Sequence, residues 1–298
     1  MRYVEVGGAR MSAIGLGTWQ FGSREWGYGS DYARGEALKI VRRALDLGVS
    51  LLDTAEIYGF GESERIVGQA IRGRRDEVFL ATKLFPIGLP VQVMAKARAS
   101  ARRLGVDRID LYQQHWPSPM FPPGATMPRM RKLVDSGLVL HVGVSNHSLA
   151  QWQAAEAAFG GPVLSNQVRF NLLDRGPERD LVPWAQANGR VVIAYSPLAQ
   201  GLLTGRYQDS SPRNFRRLNP AFRAAAKARL KPLLAAMGDI ASRHQATTSQ
   251  VALAWLIRKP NVVVIPGASS VHQLEQNVAA AELELSDEDD AMLARLAP

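Results

Sequence analysis

The 298-residue chain contains no cysteine. That absence excludes a disulfide framework, a thiolate nucleophile and any zinc site built on cysteine, and it leaves the redox compartment open. Long apolar runs are missing too. The stretch Val251-Ala252-Leu253-Ala254-Trp255-Leu256-Ile257 is among the longest, well short of the roughly 18 residues that a membrane span needs. The first residues, Met1 to Val6, lack the apolar core of a secretion signal, so the sequence reads as a soluble, cytoplasmic chain. Neither a GxxxxGKS/T phosphate loop, an HExxH pair nor a GxSxG elbow occurs, and no zinc-finger or RNP sequence is found.

Acidic residues are absent between Asp209 and Asp239, a stretch that holds Arg213, Arg216, Arg217, Arg223, Lys227, Arg229 and Lys231. The chain has 36 lysines and arginines against 27 acids, a net charge of +9. With no nucleic-acid motif, this local excess has two readings: a solvated basic face, or a lid over an anionic cofactor.

What is present is apolar mass. Hydrophobic residues make up 46% of the chain, enough for a large core within the size of one α/β barrel, and a single domain over residues 1–298 is expected. Strand-like runs begin near Leu51, Val78, Ile109, Val139, Val163 and Val191, roughly 24 to 31 residues apart, the length of a strand, a helix and two loops. Helical patterns lie between them, at 34–47, 62–71, 93–104, 127–134, 149–158 and 180–187. Several end on glycine, as at Gly48, Gly105, Gly137 and Gly189. An early strand at Ile14–Gly17 and a late one at Val262–Ile265 bring the count to eight. Segments 2–6 and 10–14 flank Gly7-Gly8 and read as a β-hairpin under the barrel floor. The sequence therefore predicts a (β/α)8 TIM barrel with an N-terminal β-hairpin and a long loop after strand 7, irregular over about 204–220 and followed by helices at 230–244 and 249–257. The rival, a doubly wound dinucleotide fold, rests on Gly15-Leu16-Gly17 and Gly59-Phe60-Gly61. The first meets Gln20 where a third glycine belongs, and the second follows no strand.

The strand-like runs end on Asp53, Lys83, His115, Ser145-Asn146, Asn166-Gln167 and Tyr195-Ser196. In a parallel barrel, carboxyl strand ends converge on the face that carries the active site. Carbonyl reduction by hydride transfer needs a proton donor for the developing oxyanion. Tyr58 is a candidate, and a nearby Lys83 ammonium would lower its pKa from the usual value of about 10. Asp53 would keep that ammonium charged, and His115 could orient the substrate oxygen.

These residues resemble the aldo-keto reductases. Asp53-Thr54-Ala55-Glu56-Ile57-Tyr58-Gly59 is similar to that family's signature, and Lys83 in Ala81-Thr82-Lys83 with His115 in Tyr112-Gln113-Gln114-His115-Trp116-Pro117 completes its tetrad. The resemblance runs from Ile14-Gly15-Leu16-Gly17-Thr18 to Ile265-Pro266-Gly267-Ala268. It implies NADPH-dependent carbonyl reduction, with NADH as the alternative carrier. Tyr58 would be the general acid, Lys83 and Asp53 would tune it, and His115 would orient substrate. It further implies that Ser145, Asn146 and Gln167 bind the nicotinamide carboxamide and that Tyr195 stacks on its ring. Ser196, Leu198, Gln200, Gly201 and Arg206 would line the diphosphate, and Gly267, Ser269, Ser270, Gln273, Gln276 and Asn277 would hold the adenosine end. Ser269-Ser270 departs from the family, where a lysine or arginine often meets the 2′-phosphate. Trp19, Trp26, Phe85, Trp116, Met120 and Phe121 are candidates for an apolar substrate pocket. Two other readings stay open: a Schiff-base aldolase using Lys83, and a cofactor-holding regulatory subunit without turnover.

Overall fold

The computed structural model describes residues 1–22, 31–207, 210 and 219–297, with the side chains of 31 and 32 left aside. Trp26 and the loop arginines Arg213, Arg216 and Arg217 lie outside the described residues.

The chain opens with an antiparallel pair, β1 (Tyr3–Val6) and β2 (Ala9–Ser12), joined through Gly7 and Gly8 at positive φ. Such a turn requires left-handed backbone, which glycine adopts without penalty. The hairpin lies at the amino ends of the barrel strands. Ser12 exchanges hydrogen bonds with Ser50 just ahead of a barrel strand, and a Cβ on Gly7 would stand 2.9 Å from the Leu164 side chain. It therefore covers the floor, opposite the face where the predicted site residues lie.

Eight parallel strands come next, in sequential order: β3 (Leu16–Gly17), β4 (Leu51–Asp53), β5 (Phe79–Leu84), β6 (Ile109–Gln114), β7 (Val139–Ser145), β8 (Ser165–Arg169), β9 (Val191–Tyr195) and β10 (Val262–Val264). They alternate with helices α1 (Asp31–Asp46), α2 (Glu62–Ala70), α3 (Val93–Leu104), α4 (Pro123–Asp135), α5 (Leu149–Phe159), α6 (Leu181–Ala187), α7 (Ala224–Arg243), α8 (Thr248–Ile257) and α9 (Val271–Ala279), ending in α10 (Asp287–Leu296). Ile14 bridges Val264 in parallel, Gly15 donates to the Val264 carbonyl at 2.8 Å, and Val264 donates to the Ala13 carbonyl at 2.9 Å, so the last strand meets the first. This is the expected (β/α)8 barrel with its N-terminal hairpin.

Most strand residues are buried, as parallel sheets covered by helices require, with polar residues such as Thr82, Gln113, Ser165 and Asn166 set among the apolar ones. Some boundaries differ from those the sequence suggests. The first barrel strand shrinks to two residues because Gly15 and Gly17 are pressed between neighbouring strands: a Cβ on Gly17 would lie 2.6 Å from the Ile265 carbonyl oxygen. Helices α4 and α7 start earlier than the apolar periodicity indicates, each carrying an internal proline, Pro128 and Pro232. Helix α10 is an addition to the expected elements, although Ser286 and Asp289 form a capping box at its start. Among the described residues no helix is long and apolar enough to cross a membrane.

Candidate active site

At the carboxyl end of β4 the Asp53 side chain is 2% exposed, a position no isolated carboxylate tolerates. Its compensation comes from three other strands. Lys83 on β5 donates to Asp53 Oδ2 at 2.6 Å, Gln167 on β8 donates to Oδ1 at 2.7 Å, and Gln113 on β6 reaches Oδ1 at 3.4 Å. Contacts from β5, β6 and β8 to one carboxylate place it across the barrel interior, at the carboxyl end of the strands.

Lys83 is fully buried. Its ammonium also donates to the Thr54 carbonyl at 2.9 Å and stands 3.3 Å from Tyr58 Oη. Burial alone would push the Lys83 pKa down, but Asp53 and Tyr58 together outweigh burial and raise it. Tyr58 lies on a short 3-10 turn, Tyr58–Gly61, whose Gly59 and Phe60 are left-handed. Its pKa is also raised: burial is the largest cause, Lys83 pulls the other way, and Asp53 adds to the rise. The lowering by Lys83 is present as expected from sequence, but the desolvation of the phenol exceeds it. At neutral pH the phenol therefore keeps its proton.

The tetrad closes with His115, which packs edge-on against both Tyr58 and Phe85 at ring separations of 5.7 and 5.9 Å. Burial and then the Lys83 charge push its pKa down to about 3, so the imidazole is neutral. Its Nδ1 is buried without a hydrogen-bond partner among the described residues. Asp53, Tyr58, Lys83 and His115, scattered over the sequence, thus form one cluster.

A second group stands on the next strand ends. Asn146, at φ 59°, donates to the His115 carbonyl at 3.1 Å and to Ser145 Oγ at 3.0 Å, and it accepts from the Tyr195 hydroxyl at 2.9 Å. Ser145 in turn donates to the Gln167 carbonyl at 2.8 Å. Gln167 is therefore shared between this group and Asp53, a link that spacing does not show.

The segment after β9 tests the fit of a dinucleotide. Residues 196–207 contain no acid, and Ser196, Ala199, Gln200 and Gly201 all have positive φ, turning the chain tightly. Leu198, Gln200 and Gly201 are half-buried and Arg206 is exposed. Such acid-free, tightly turned backbone suits an anion. Beyond β10, Ser270 caps α9 by accepting from the Gln273 backbone, Ser269 donates its backbone N–H to the Gln273 side chain, and Asn277 donates to the Gly267 carbonyl. Gln276 is drawn instead toward α8, its carbonyl accepting from Gln250 at 3.1 Å. No cation occupies the Ser269-Ser270 position.

The aromatic candidates divide. Phe85 and Phe121 line one small groove with Ile87, Leu89 and Val93, whereas Trp19, Trp116 and Met120 are exposed on neighbouring loops. Missed by sequence reasoning is the brace behind this wall. Glu56 accepts from the Phe85 backbone at 2.8 Å and from Lys96 at 3.2 Å, while Lys96 donates to the Phe85 and Ile87 carbonyls at 3.0 Å each. Glu56 lies inside the Asp53–Tyr58 motif, but its partner on α3 carries no local signal.

Residues 13–297 match the aldo/keto reductase family. The chain belongs to that family. Among its relatives, an uncharacterized oxidoreductase of Mycobacterium tuberculosis is 56% identical over 289 residues, covering 96% of this chain and 90% of that protein. The methylglyoxal reductase YeaE of Escherichia coli is 36% identical over 98% of this chain and 93% of its own length. An aldo/keto reductase from Klebsiella pneumoniae, solved in complex with NADP and acetate, superposes with a TM-score of 0.81 at 35% identity, covering 99% of this chain and 95% of that one. The aldo/keto reductase fold and the barrel described above are thus the same architecture.

Proposed function

We propose that this aldo/keto reductase, working as a single barrel domain over residues 1–298, reduces an aldehyde or ketone to the alcohol with NADPH, NADH being the alternative carrier. The observation that carries the reading is the relay of contacts from Asp53 to Lys83 at 2.6 Å and from Lys83 to Tyr58 Oη at 3.3 Å, ending on a half-buried phenol at the barrel mouth. A bound reduced nicotinamide supplies a hydride to the carbonyl carbon. The Tyr58 hydroxyl gives its proton to the carbonyl oxygen, and the Lys83 ammonium stabilises the phenolate left behind. Asp53 keeps that ammonium charged. Neutral His115 orients the carbonyl through a hydrogen bond, and water returns the proton to Tyr58.

Ser145, Asn146, Gln167 and Tyr195 would hold the nicotinamide end, the 196–201 turn with Arg206 the diphosphate, and the start of α9 the adenosine. The NADP-bound Klebsiella relative supports NADPH; the uncharged Ser269-Ser270 pair is what keeps NADH as the alternative. An apolar or small substrate is favoured by the placement of exposed hydrophobics. Trp19, Ile57, Phe60, Ile87, Trp116 and Met120 are exposed on loops that come after β3, β4, β5 and β6.

The raised Lys83 pKa weighs against imine chemistry, which needs a neutral amine. Oxidation of NADPH and of NADH should be followed with a panel of aldehydes and ketones, together with alcohol formation. One alcohol formed per NADPH consumed is the expected result. Tight NADPH binding with no turnover on any carbonyl would instead establish the regulatory-subunit reading.

A further inference from the structure

On the barrel flank, away from the strand ends, α1, α2 and α3 enclose a groove of about 510 Å³, within the size range of small-molecule sites. Five guanidinium groups line it: Arg34 from α1, Arg65 from α2, Arg72 just beyond α2, and Arg102 and Arg103 from the last turn of α3. Among the described residues two carboxylates answer them. Arg34 and Arg65 share Glu62, at 2.7 and 3.4 Å, and Arg103 is tied to the buried Glu64 at 2.5 Å. The side chains of Arg72 and Arg102 have no hydrogen-bond or ion-pair partner among the described residues.

Basic residues in the last turn of α3 do complement that helix's dipole, which accounts for Arg102 and Arg103 but not for Arg34, Arg65 or Arg72, brought in from elsewhere. The groove is also partly pre-organised. Arg103 is fixed by Glu64 and by Ser100 at 3.0 Å, and Gln69 receives Arg34 at 3.1 Å. Planar guanidinium forks bind phosphoryl oxygens in pairs, and several together suit a ligand carrying more than one phosphoryl group.

We propose that this groove is a second ligand site, independent of the carbonyl chemistry, for a small anion bearing two or more phosphoryl groups. Inorganic tripolyphosphate is the probe. Its binding to the full-length protein is measured calorimetrically in the presence of saturating NADP, for the unaltered chain, for the double variant Arg72→Ala/Arg102→Ala, and for the exposed control Arg179→Ala. Thermal unfolding verifies that each variant is folded; Arg72 and Arg102 are exposed and their side chains have no partner among the described residues, so their loss leaves the barrel intact. The expected result is saturable 1:1 binding that the double variant weakens at least tenfold and the control leaves unchanged. Absence of saturable binding, equal loss in the control, or no loss in the double variant overturns the proposal. So does binding of a nucleic-acid duplex without binding of tripolyphosphate.

Discussion

Lys83 keeps its charge in a dry interior because Asp53 and the Thr54 carbonyl accept from it at 2.6 and 2.9 Å. Removing one member of a buried pair leaves the other uncompensated, at a cost of about 3–5 kcal/mol. Burial, reinforced by the same charge, depresses His115 to about 3. The sign is fixed by linkage. A histidine whose folded pKa lies below its unfolded value of about 6.5 favours the native state above pH 6.5, and that contribution fades as pH falls from there toward 3. An NMR titration of the His115 ring should therefore show no inflection between pH 5 and 8. A midpoint near 6.5 would mean that the imidazole is solvated and far from Lys83. Tyr58, raised above 10, should keep the reductive rate flat through neutral pH, with loss only in the alkaline range where the phenol ionises.

At the scale of elements, the loop after β5 is held by Glu56 and Lys96 rather than by its own turn. Replacing Lys96 with methionine removes donors to Glu56, Phe85 and Ile87 while leaving the tetrad untouched. A rise in KM for the carbonyl of about five- to tenfold is expected, corresponding to ~1–1.4 kcal/mol, with kcat and NADPH affinity little changed. An equal fall in kcat at constant KM would place Lys96 in the chemical step instead. This brace also marks the limit of what the sequence discloses. Asp53, Lys83 and His115 are legible because each ends an apolar run and a parallel barrel brings such ends together. Lys96 is not, because it lies in the first turn of α3 with no strand end beside it and its partners are two backbone carbonyls and a glutamate 40 residues away. The Gln167–Asp53 contact is of the same kind: a 114-residue separation that only barrel closure spans. Helix α10 is different, since its Ser286–Asp289 cap is present to be read. Polar, acidic residues over its first turn hide the short buried face that contains Leu293.

The whole molecule depends on a seam where the last strand meets the first. Gly17 allows that approach, since a Cβ there would come 2.6 Å from the Ile265 carbonyl oxygen; on the other side Gly15 is pressed against β4, where a Cβ would lie 2.8 Å from the Leu51 carbonyl oxygen. Gly17→Ala should therefore destabilise the fold by roughly 1–3 kcal/mol, as overpacking does, seen as a lower denaturant midpoint with an unchanged slope. Unaltered stability would show that the seam is looser than the contacts indicate. Barrel closure also sets Asp53 on β4 against Gln167 on β8, while the direct pairing of β4 with β5 brings Lys83 to Tyr58. The role of that phenol as proton donor is tested most directly by the Tyr58→Phe variant, assayed in parallel for NADPH binding and for steady-state aldehyde reduction. Unchanged NADPH affinity is expected, with reduction lowered at least a hundredfold, because the substitution removes the proposed proton donor and none of the proposed cofactor-binding groups. Undiminished turnover in that variant would contradict the assignment.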